Sequence, residues 1–283
     1  MPQPLIELGG EPSFPILHIA PANGFVPQTY LPMLRPLMNR YRVVSAVPRA
    51  LWGDQQPPSL QHAPDWMHLA DDLLVAFEQY ELNDVVAIGH SFGGVASMNA
   101  AILNPSRFRA LILLDPTFLN ENIVDMIAAA MKQGMSDQHP LAQGALKRKR
   151  DFESVEAFYE RYRTKPTFAD WDEEAMRLYA DYGTQANGQG RSLTWSPEWE
   201  AFYFSTGFAE TWRTIGKLNS LLPTLIVRGG TSDTYIEDSA NRVRNLVPSA
   251  THLTIDGHGH LFPQSVPHET ARVIGEWLRT LDS

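Results

Sequence analysis

Ser91 lies at the centre of the segment Gly89-His90-Ser91-Phe92-Gly93, with a glycine two residues before it and another two residues after it. An apolar run precedes this segment and small residues follow it, so the pattern predicts a strand, a sharp turn and a helix. A turn of this kind crowds the backbone on both sides and leaves the serine hydroxyl accessible. Ser91 is therefore a candidate nucleophile for acyl transfer.

A serine hydroxyl needs a neighbouring base, and the base needs a group that orients it. Asp233 and His260 each follow an apolar run late in the chain, and His260 lies in a glycine-flanked loop. The carboxyl ends of parallel strands meet at one edge of a sheet, where Ser91 is also expected. We predict a triad of Ser91, His260 and Asp233.

The elements that must position these groups are predicted from hydrophobic periodicity. Short apolar runs recur at residues 15–20, 42–47, 84–88, 110–114, 224–228 and 252–255. Segments with helical periodicity lie between them, for example residues 65–80, where Leu69, Leu73 and Phe77 share one face. Strands that alternate with such helices indicate an α/β protein, with a mostly parallel central sheet and helices on both faces.

Residues 117–220 interrupt this alternation. We find no convincing buried strand there, but several helix-like segments and 16 of the 29 aromatic residues of the chain. We predict a core domain of residues 1–116 and 221–283 with an inserted helical cap of residues 117–220. Most of the aromatic side chains should form a core of the cap, and a few should line an apolar pocket beside the serine. The basic run at residues 147–150 is interpreted as a solvated helix face.

Composition limits the classes of partner. The chain has 283 residues, 43% of them hydrophobic, and a formal net charge of −9, which argues against a nucleic-acid partner and fits a small-molecule substrate. It has no cysteine, so disulfides and thiolate chemistry are excluded. No apolar stretch reaches the roughly 18 residues of a membrane span, and the N-terminal segment does not resemble a secretion signal. We expect a cytoplasmic protein, either a monomer or a homodimer.

Taken together, these motifs resemble the α/β-hydrolase fold superfamily over nearly the whole chain. The features that match are the turn around Ser91, the strand followed by Asp233, and the loop Gly257-His258-Gly259-His260, in the order nucleophile, acid, histidine. The resemblance implies a capped, serine-dependent, esterase-like enzyme that needs no metal or cofactor. It also favours His260 over His258 as the base, because the histidine of this loop in the family is the fourth residue. Some relatives place the acid after the earlier strand that ends at Asp115, so the resemblance implies Asp115 as the alternative to Asp233.

Two segments depart from the family pattern. Relatives carry His-Gly-X after their equivalent of the first long strand, whereas this chain has Asn23-Gly24-Phe25. The resemblance implies that the backbone N–H groups of Phe25 and Phe92 form the oxyanion hole, with Asn23 shaping the loop. The second departure, the segment around Trp52, is expected to shape the pocket.

The remaining histidines near these motifs have less specific interpretations. His90 varies freely within the motif, so packing or a hydrogen bond at the edge of the site is expected. His18 lies in mid-strand and is interpreted as a core histidine.

The function expected from these residues is hydrolysis of a small, largely apolar ester through a Ser-His-Asp triad. Carbon–carbon bond hydrolysis and lactone opening use the same triad and stay open, because the branches differ in the pocket rather than in the motifs. A non-catalytic ligand receptor that uses the cap as a lid is the alternative from another class.

Overall fold

The computed structural model describes residues 3–53, 56–60 and 65–282, so the predicted domain limits at residues 1 and 283 lie outside the described residues. The strands are β1 Leu5–Gly9, β2 Ile16–Ala20, β3 Arg42–Ala46, β4 Val85–His90, β5 Phe108–Leu114, β6 Asp151–Phe152, β7 Thr184–Ala186, β8 Arg191–Leu193, β9 Thr224–Gly229 and β10 Thr251–Ile255. The α-helices are α1 Leu31–Leu34, α2 Met67–Gln79, α3 Phe92–Leu103, α4 Glu121–Lys132, α5 Pro140–Leu146, α6 Val155–Arg163, α7 Glu173–Tyr182, α8 Pro197–Phe204, α9 Thr211–Thr214, α10 Glu237–Leu246, α11 Phe262–Ser265 and α12 Pro267–Leu281.

The central sheet has the order β1-β3-β2-β4-β5-β9-β10 among the described residues. Every neighbouring pair is parallel except β1 with β3. Strand β4 is buried throughout, and β5 nearly so, because helices cover both faces of the sheet. The expected α/β architecture with a mostly parallel sheet is therefore confirmed. The edge strand β1 was not anticipated, since it is short and only half-buried and carries no continuous apolar run.

The strand register brings the predicted site segments to one edge. Ala20 pairs with Gly89, and His90 pairs with Leu114. Leu114 in turn pairs with Val227 on β9. The residues that follow β2, β4, β5, β9 and β10 consequently emerge side by side at the carboxyl edge of the sheet.

The covering helices use the faces that the sequence indicated. Leu69, Leu73 and Phe77 of α2 are buried, as the periodicity predicts. Helix α3 is buried from Phe92 to Ala101, because its small residues allow it to approach the sheet closely. This close packing holds the start of α3 rigidly over the end of β4.

Between β5 and β9, residues 117–220 form α4 to α9 and a small antiparallel sheet of order β6-β8-β7. We call this segment the insert. Its strands are two or three residues long, mostly not buried and without an apolar run, so they were not anticipated, although they agree with the expectation of no convincing buried strand there. The division of the chain at residues 116 and 220 into two domains stays a prediction.

The buried aromatic side chains of the insert do not form a core of their own. One group packs into the cluster that contains Phe92 and helix α2: Trp195, Trp199, Phe202, Tyr203, Phe208 and Trp212. The other group packs into the cluster that contains Phe25 and helix α12: Phe152, Phe158, Tyr162, Phe168, Trp171 and Tyr179. The insert thus extends both hydrophobic cores of the sheet, contrary to the expectation of a separate aromatic core.

Candidate active site

Ser91 lies at the turn between β4 and α3 with φ 57° and ψ −124°, a conformation that non-glycine residues rarely adopt. Its N–H donates to the carbonyl oxygen of Leu114 at 3.1 Å. A Cβ on Gly89 would lie 2.4 Å from the Gly93 carbonyl oxygen, and one on Gly93 would lie 2.4 Å from that of Ala20. The glycine spacing is therefore a steric requirement of this turn, which holds the serine side chain above the sheet edge.

A continuous hydrogen-bonded chain connects Ser91 with a histidine and a carboxylate. The Ser91 Oγ lies 3.0 Å from Nε2 of His260, and Nδ1 of His260 lies 2.7 Å from Oδ2 of Asp115. Because an ionised carboxylate only accepts, Nδ1 carries the proton and Nε2 is free to accept from the serine hydroxyl. The arrangement has the geometry of a nucleophile, a general base and an orienting acid. The hydroxyl of Thr117 also lies 3.2 Å from the Ser91 Oγ.

The carboxylate beside His260 is Asp115 and not Asp233, which corrects the preferred sequence prediction. Asp115 follows β5, is completely buried and has φ 38°. It also accepts hydrogen bonds from the Gly229 N–H at 2.7 Å and from the Ser232 hydroxyl at 2.5 Å. Asp233 is exposed at the rim of the cavity, where Thr234 donates to it at 3.3 Å.

Asp115 and Asp233 differ in the hydrogen-bond donors that surround them, and this difference explains the correction. Three donors converge on the Asp115 carboxylate, so its burial is compensated. Asp233 comes one residue after Ser232, whose side chain turns inward to the Asp115 carboxylate. Ser232 was missed by sequence reasoning, although its place three residues after the end of β9 was a usable signal.

The loop after β2 was predicted to supply one oxyanion donor. Phe92 is the first residue of α3, so its N–H has no acceptor within the helix and is available to a ligand. The Phe25 N–H, however, donates to the carbonyl oxygen of Ala22 at 3.2 Å. The Phe25 N–H is thus not free in this conformation, and an oxyanion hole formed by Phe25 and Phe92 stays a prediction.

Asn23 connects the same loop to the insert. Its Nδ2 donates to the carbonyl oxygen of Glu200 in α8 at 3.0 Å. The Tyr179 hydroxyl lies 3.4 Å from the Gly24 carbonyl oxygen, and the Phe25 ring packs on Trp171 with centroids 5.2 Å apart. The insert therefore braces the loop that would carry the oxyanion donor, which is the loop role expected of Asn23.

Ser91 and His260 open into a cavity of about 830 Å³ between the sheet edge and the insert. Aromatic and aliphatic side chains form much of its wall: Phe25, Trp66, Phe92, Leu119, Ile123, Ile127, Leu141, Tyr162, Phe168, Tyr179, Tyr203 and Phe204. Trp52 is not among the described lining residues, and its indole N–H donates to the Val47 carbonyl oxygen at 2.7 Å. The expectation that the segment around Trp52 shapes the pocket stays a prediction, because residues 54 and 55 of that segment lie outside the described residues.

A largely buried ion pair forms one wall of the cavity. Arg148 bonds to the carboxylate of Glu200, and its guanidinium also donates to the hydroxyls of Tyr162 at 3.0 Å and Tyr179 at 2.9 Å. Burial alone would lower the pKa of Arg148, but Tyr179 and Glu200 hold that pKa well above its ordinary value. The interpretation of residues 147–150 as a solvated face is wrong for Arg148, whereas Arg150 pairs with Glu198 at the surface.

The other histidines are placed as follows. His18 is buried in β2, where its Nε2 accepts from the Ala46 N–H at 3.0 Å, and burial lowers its pKa to about 3. The interpretation of His18 as a core histidine is confirmed. The backbone of His258 accepts from the Thr231 N–H at 2.9 Å, and His258 is not among the described residues that line the cavity.

Two features are absent from the described part of the chain. No group of three or more His, Asp or Glu side chains there could hold a metal ion. No helix in the same residues is long and apolar enough to cross a bilayer.

Known proteins resemble this chain in sequence. A 2-(acetamidomethylene)succinate hydrolase from Mesorhizobium japonicum is 23% identical over 96% of this chain and 90% of its own. A Haemophilus influenzae protein described as an esterase/lipase is 24% identical over 74% of this chain, a match that spans 66% of that relative's length.

A crystal structure of E-2-(acetamidomethylene)succinate hydrolase superposes with a TM-score of 0.74 at 17% identity, covering 97% of this chain and 94% of its own. This likeness shows a shared fold. A family model described as the alpha/beta hydrolase family matches residues 16–273 of this chain. The protein thus belongs to the alpha/beta hydrolase family.

Proposed function

We propose that the protein is a serine hydrolase that uses Ser91, His260 and Asp115 as its catalytic triad. The observation that carries this proposal is the unbroken hydrogen-bonded chain from the Ser91 Oγ through both ring nitrogens of His260 to the buried Asp115 carboxylate. A serine held only as a turn residue would need neither the neutral base nor its orienting acid.

The proposed reaction proceeds in two steps. Ser91 Oγ attacks the substrate carbonyl carbon while His260 Nε2 takes the hydroxyl proton, and the Phe92 N–H stabilises the oxyanion. The tetrahedral intermediate collapses, and His260 returns the proton to the leaving alkoxide, which leaves an acyl-enzyme. Water then attacks the acyl carbon with His260 again as base, releasing the acid and regenerating Ser91. No metal or organic cofactor is required by this sequence.

We infer that the substrate is a small, largely apolar ester. The cavity wall is dominated by aromatic and aliphatic side chains, which favours binding of apolar groups. The Arg148 guanidinium in that wall is already neutralised by Glu200, so it offers little attraction to a free substrate carboxylate. Lactones and substrates with a cleavable carbon–carbon bond use the same triad and are the nearest alternatives.

The second candidate function is a ligand receptor with an inactive triad. It is favoured by one observation: the Phe25 N–H bonds to Ala22 and is not directed to a ligand in this conformation. In a receptor, the insert would act as a lid over the cavity, and the serine would not turn over substrate.

A fluorophosphonate probe separates these two functions. The hydrolase proposal expects covalent labelling of the wild type that is lost in Ser91→Ala, and a fall in ester hydrolysis of about 10⁴-fold or more in that variant. A panel of esters of increasing acyl length, lactones and vinylogous diketones then identifies the bond cleaved. Absence of labelling and turnover, together with tight binding of an apolar ligand, would establish the receptor instead.

A further inference from the structure

We propose that Tyr30 and His90 are positioning residues, which hold the catalytic base and the loop of residues 22–25, here called the oxyanion loop, in register through one buried hydrogen-bond chain. This inference rests on the proposed serine-hydrolase function. It assigns a role to the residue directly before the nucleophile, which is completely buried and which the triad itself does not use.

The chain has three links. The Ala22 N–H lies 3.0 Å from the Tyr30 hydroxyl, which lies 2.7 Å from Nδ1 of His90. Nε2 of His90 lies 3.0 Å from the carbonyl oxygen of His260. Tyr30 and His90 are both completely buried, so water does not compete for these bonds.

The two ends of this hydrogen-bond chain fix the direction of every hydrogen bond in it. The Ala22 N–H can only donate, and the His260 carbonyl oxygen can only accept. His90 must therefore carry its proton on Nε2, and the Tyr30 hydroxyl must donate to Nδ1 while its oxygen accepts from Ala22. This requires a neutral His90, and burial, with a smaller contribution from neighbouring His260, holds the pKa of His90 well below its ordinary value.

The hydrogen-bond chain connects two loops that the sheet alone does not hold together. Ala22 precedes Asn23 of the oxyanion loop, whereas His260 follows β10, which lies three strands away from β4 in the sheet. Asp115 and Ser91 bind the two ring nitrogens of His260, and His90 binds its main chain. The ring and the backbone of the base are thus fixed independently, and the backbone anchor comes from the residue next to the nucleophile.

His90 also suits its place beside a base that becomes positively charged. The ring centroids of His90 and His260 are 5.1 Å apart. A second imidazolium at that separation would oppose protonation of His260 during attack. A neutral His90 donates to the His260 carbonyl oxygen without adding this repulsion.

Two near-isosteric substitutions test the role of His90. Asparagine places its terminal atoms near the position of Nδ1, so H90N can keep the Tyr30 contact but loses the donor to His260. Glutamine reaches the position of Nε2, so H90Q can still donate to the His260 carbonyl oxygen. We expect H90N to lower kcat by about 10²-fold with KM within about twofold of wild type, since small misplacements of catalytic groups have effects of that size. We expect H90Q to retain kcat within about fivefold of wild type.

The control is the same pair of substitutions at His18 of β2, which is also completely buried but whose side chain hydrogen-bonds only to the Ala46 N–H of β3 among the described residues. H18N and H18Q should keep the kcat of the folded protein. If H90N does not fold, Tyr30→Phe tests the other end of the hydrogen-bond chain with the ring packing preserved. It removes the hydroxyl that accepts from the Ala22 N–H, which H90Q leaves in place, so its kcat should fall with KM unchanged.

The outcomes separate this inference from the function on which it rests. A lower kcat for H90N than for H90Q, with slower fluorophosphonate labelling of Ser91 in H90N, supports the positioning role. Equal kcat values for the two variants, whether both normal or both reduced, overturn it while the active wild type leaves the hydrolase proposal standing. A wild type that neither hydrolyses esters nor reacts with the probe overturns both.

Discussion

Replacing each candidate acid by asparagine is the most direct test of the triad geometry. Asp115→Asn and Asp233→Asn remove the same charge with almost no change in side-chain volume. The structure predicts opposite results, because Asp115 bonds to Nδ1 of His260 at 2.7 Å, while the Asp233 carboxylate lies at the cavity rim.

The size of the effect follows from the donors around Asp115. The carboxylate accepts from the Gly229 N–H, the Ser232 hydroxyl and the His260 Nδ1–H. An asparagine has one oxygen, so its NH₂ group must face at least one of these donors. If it faces His260, the ring is driven to the other tautomer, which in serine proteases lowers kcat by about 10⁴-fold. If it faces Gly229, an unpaired buried N–H costs about 1–3 kcal/mol of folding free energy.

The assay is steady-state hydrolysis of a model ester, with the folded fraction of each variant measured by circular dichroism and thermal unfolding. We expect D115N to lose about 10³- to 10⁴-fold in kcat and D233N to stay within about twofold of wild type. A larger loss in D233N than in D115N would refute the assignment of Asp115 and restore the sequence-based prediction.

Two further predictions concern stability. The pKa of His18 is lowered to about 3 in the folded state, so only the unfolded chain takes up a proton there between pH 7 and 5. The free energy of unfolding should therefore fall between pH 7 and pH 5, with about 2 kcal/mol of the fall due to His18. Urea unfolding of wild type and H18Q at both pH values measures this share. An equal fall in the two proteins would contradict it. Glu200→Gln should destabilise the fold by about 3 kcal/mol because it leaves the largely buried Arg148 without a counter-charge. Glu198 lies on the same helix as Glu200, and Glu198→Gln breaks only its exposed pair with Arg150, so this variant should cost less than about 1 kcal/mol. Equal losses of unfolding free energy in the two variants, measured by urea unfolding, would contradict the larger contribution expected of the Arg148–Glu200 pair.

The sequence predicted the parts of the fold that depend on local sterics and on periodicity. The two glycines around Ser91 predicted the turn because no side chain fits there, and the alternation of apolar runs with amphipathic helices predicted the parallel sheet. Strand β1 was missed because an edge strand needs no continuous apolar run.

The carboxylate that bonds to His260 and the ion pair between Arg148 and Glu200 could not be predicted from local sequence. Asp115 and Asp233 both follow buried strands, and they are distinguished by the donors that tertiary contacts bring to Asp115: the Gly229 N–H, the Ser232 hydroxyl and the His260 Nδ1–H. Arg148 lies in a run of four basic residues whose composition is typical of a surface. Its burial depends on Glu200, which is 52 residues away in sequence. Such pairings depend on tertiary contacts that no local pattern encodes.

The continuity of the insert's aromatic side chains with both faces of the sheet has a consequence for folding and engineering. Phe92 packs against Tyr203 and Phe25 against Trp171, so the insert closes two cores at once. Unfolding of the insert would expose apolar surface on both sides of the sheet, and we therefore expect a single cooperative unfolding transition rather than early melting of this segment. For the same reason, an insert transplanted from a relative would have to match two separate packing surfaces, and specificity is more readily altered by single substitutions in the cavity wall than by exchange of the segment.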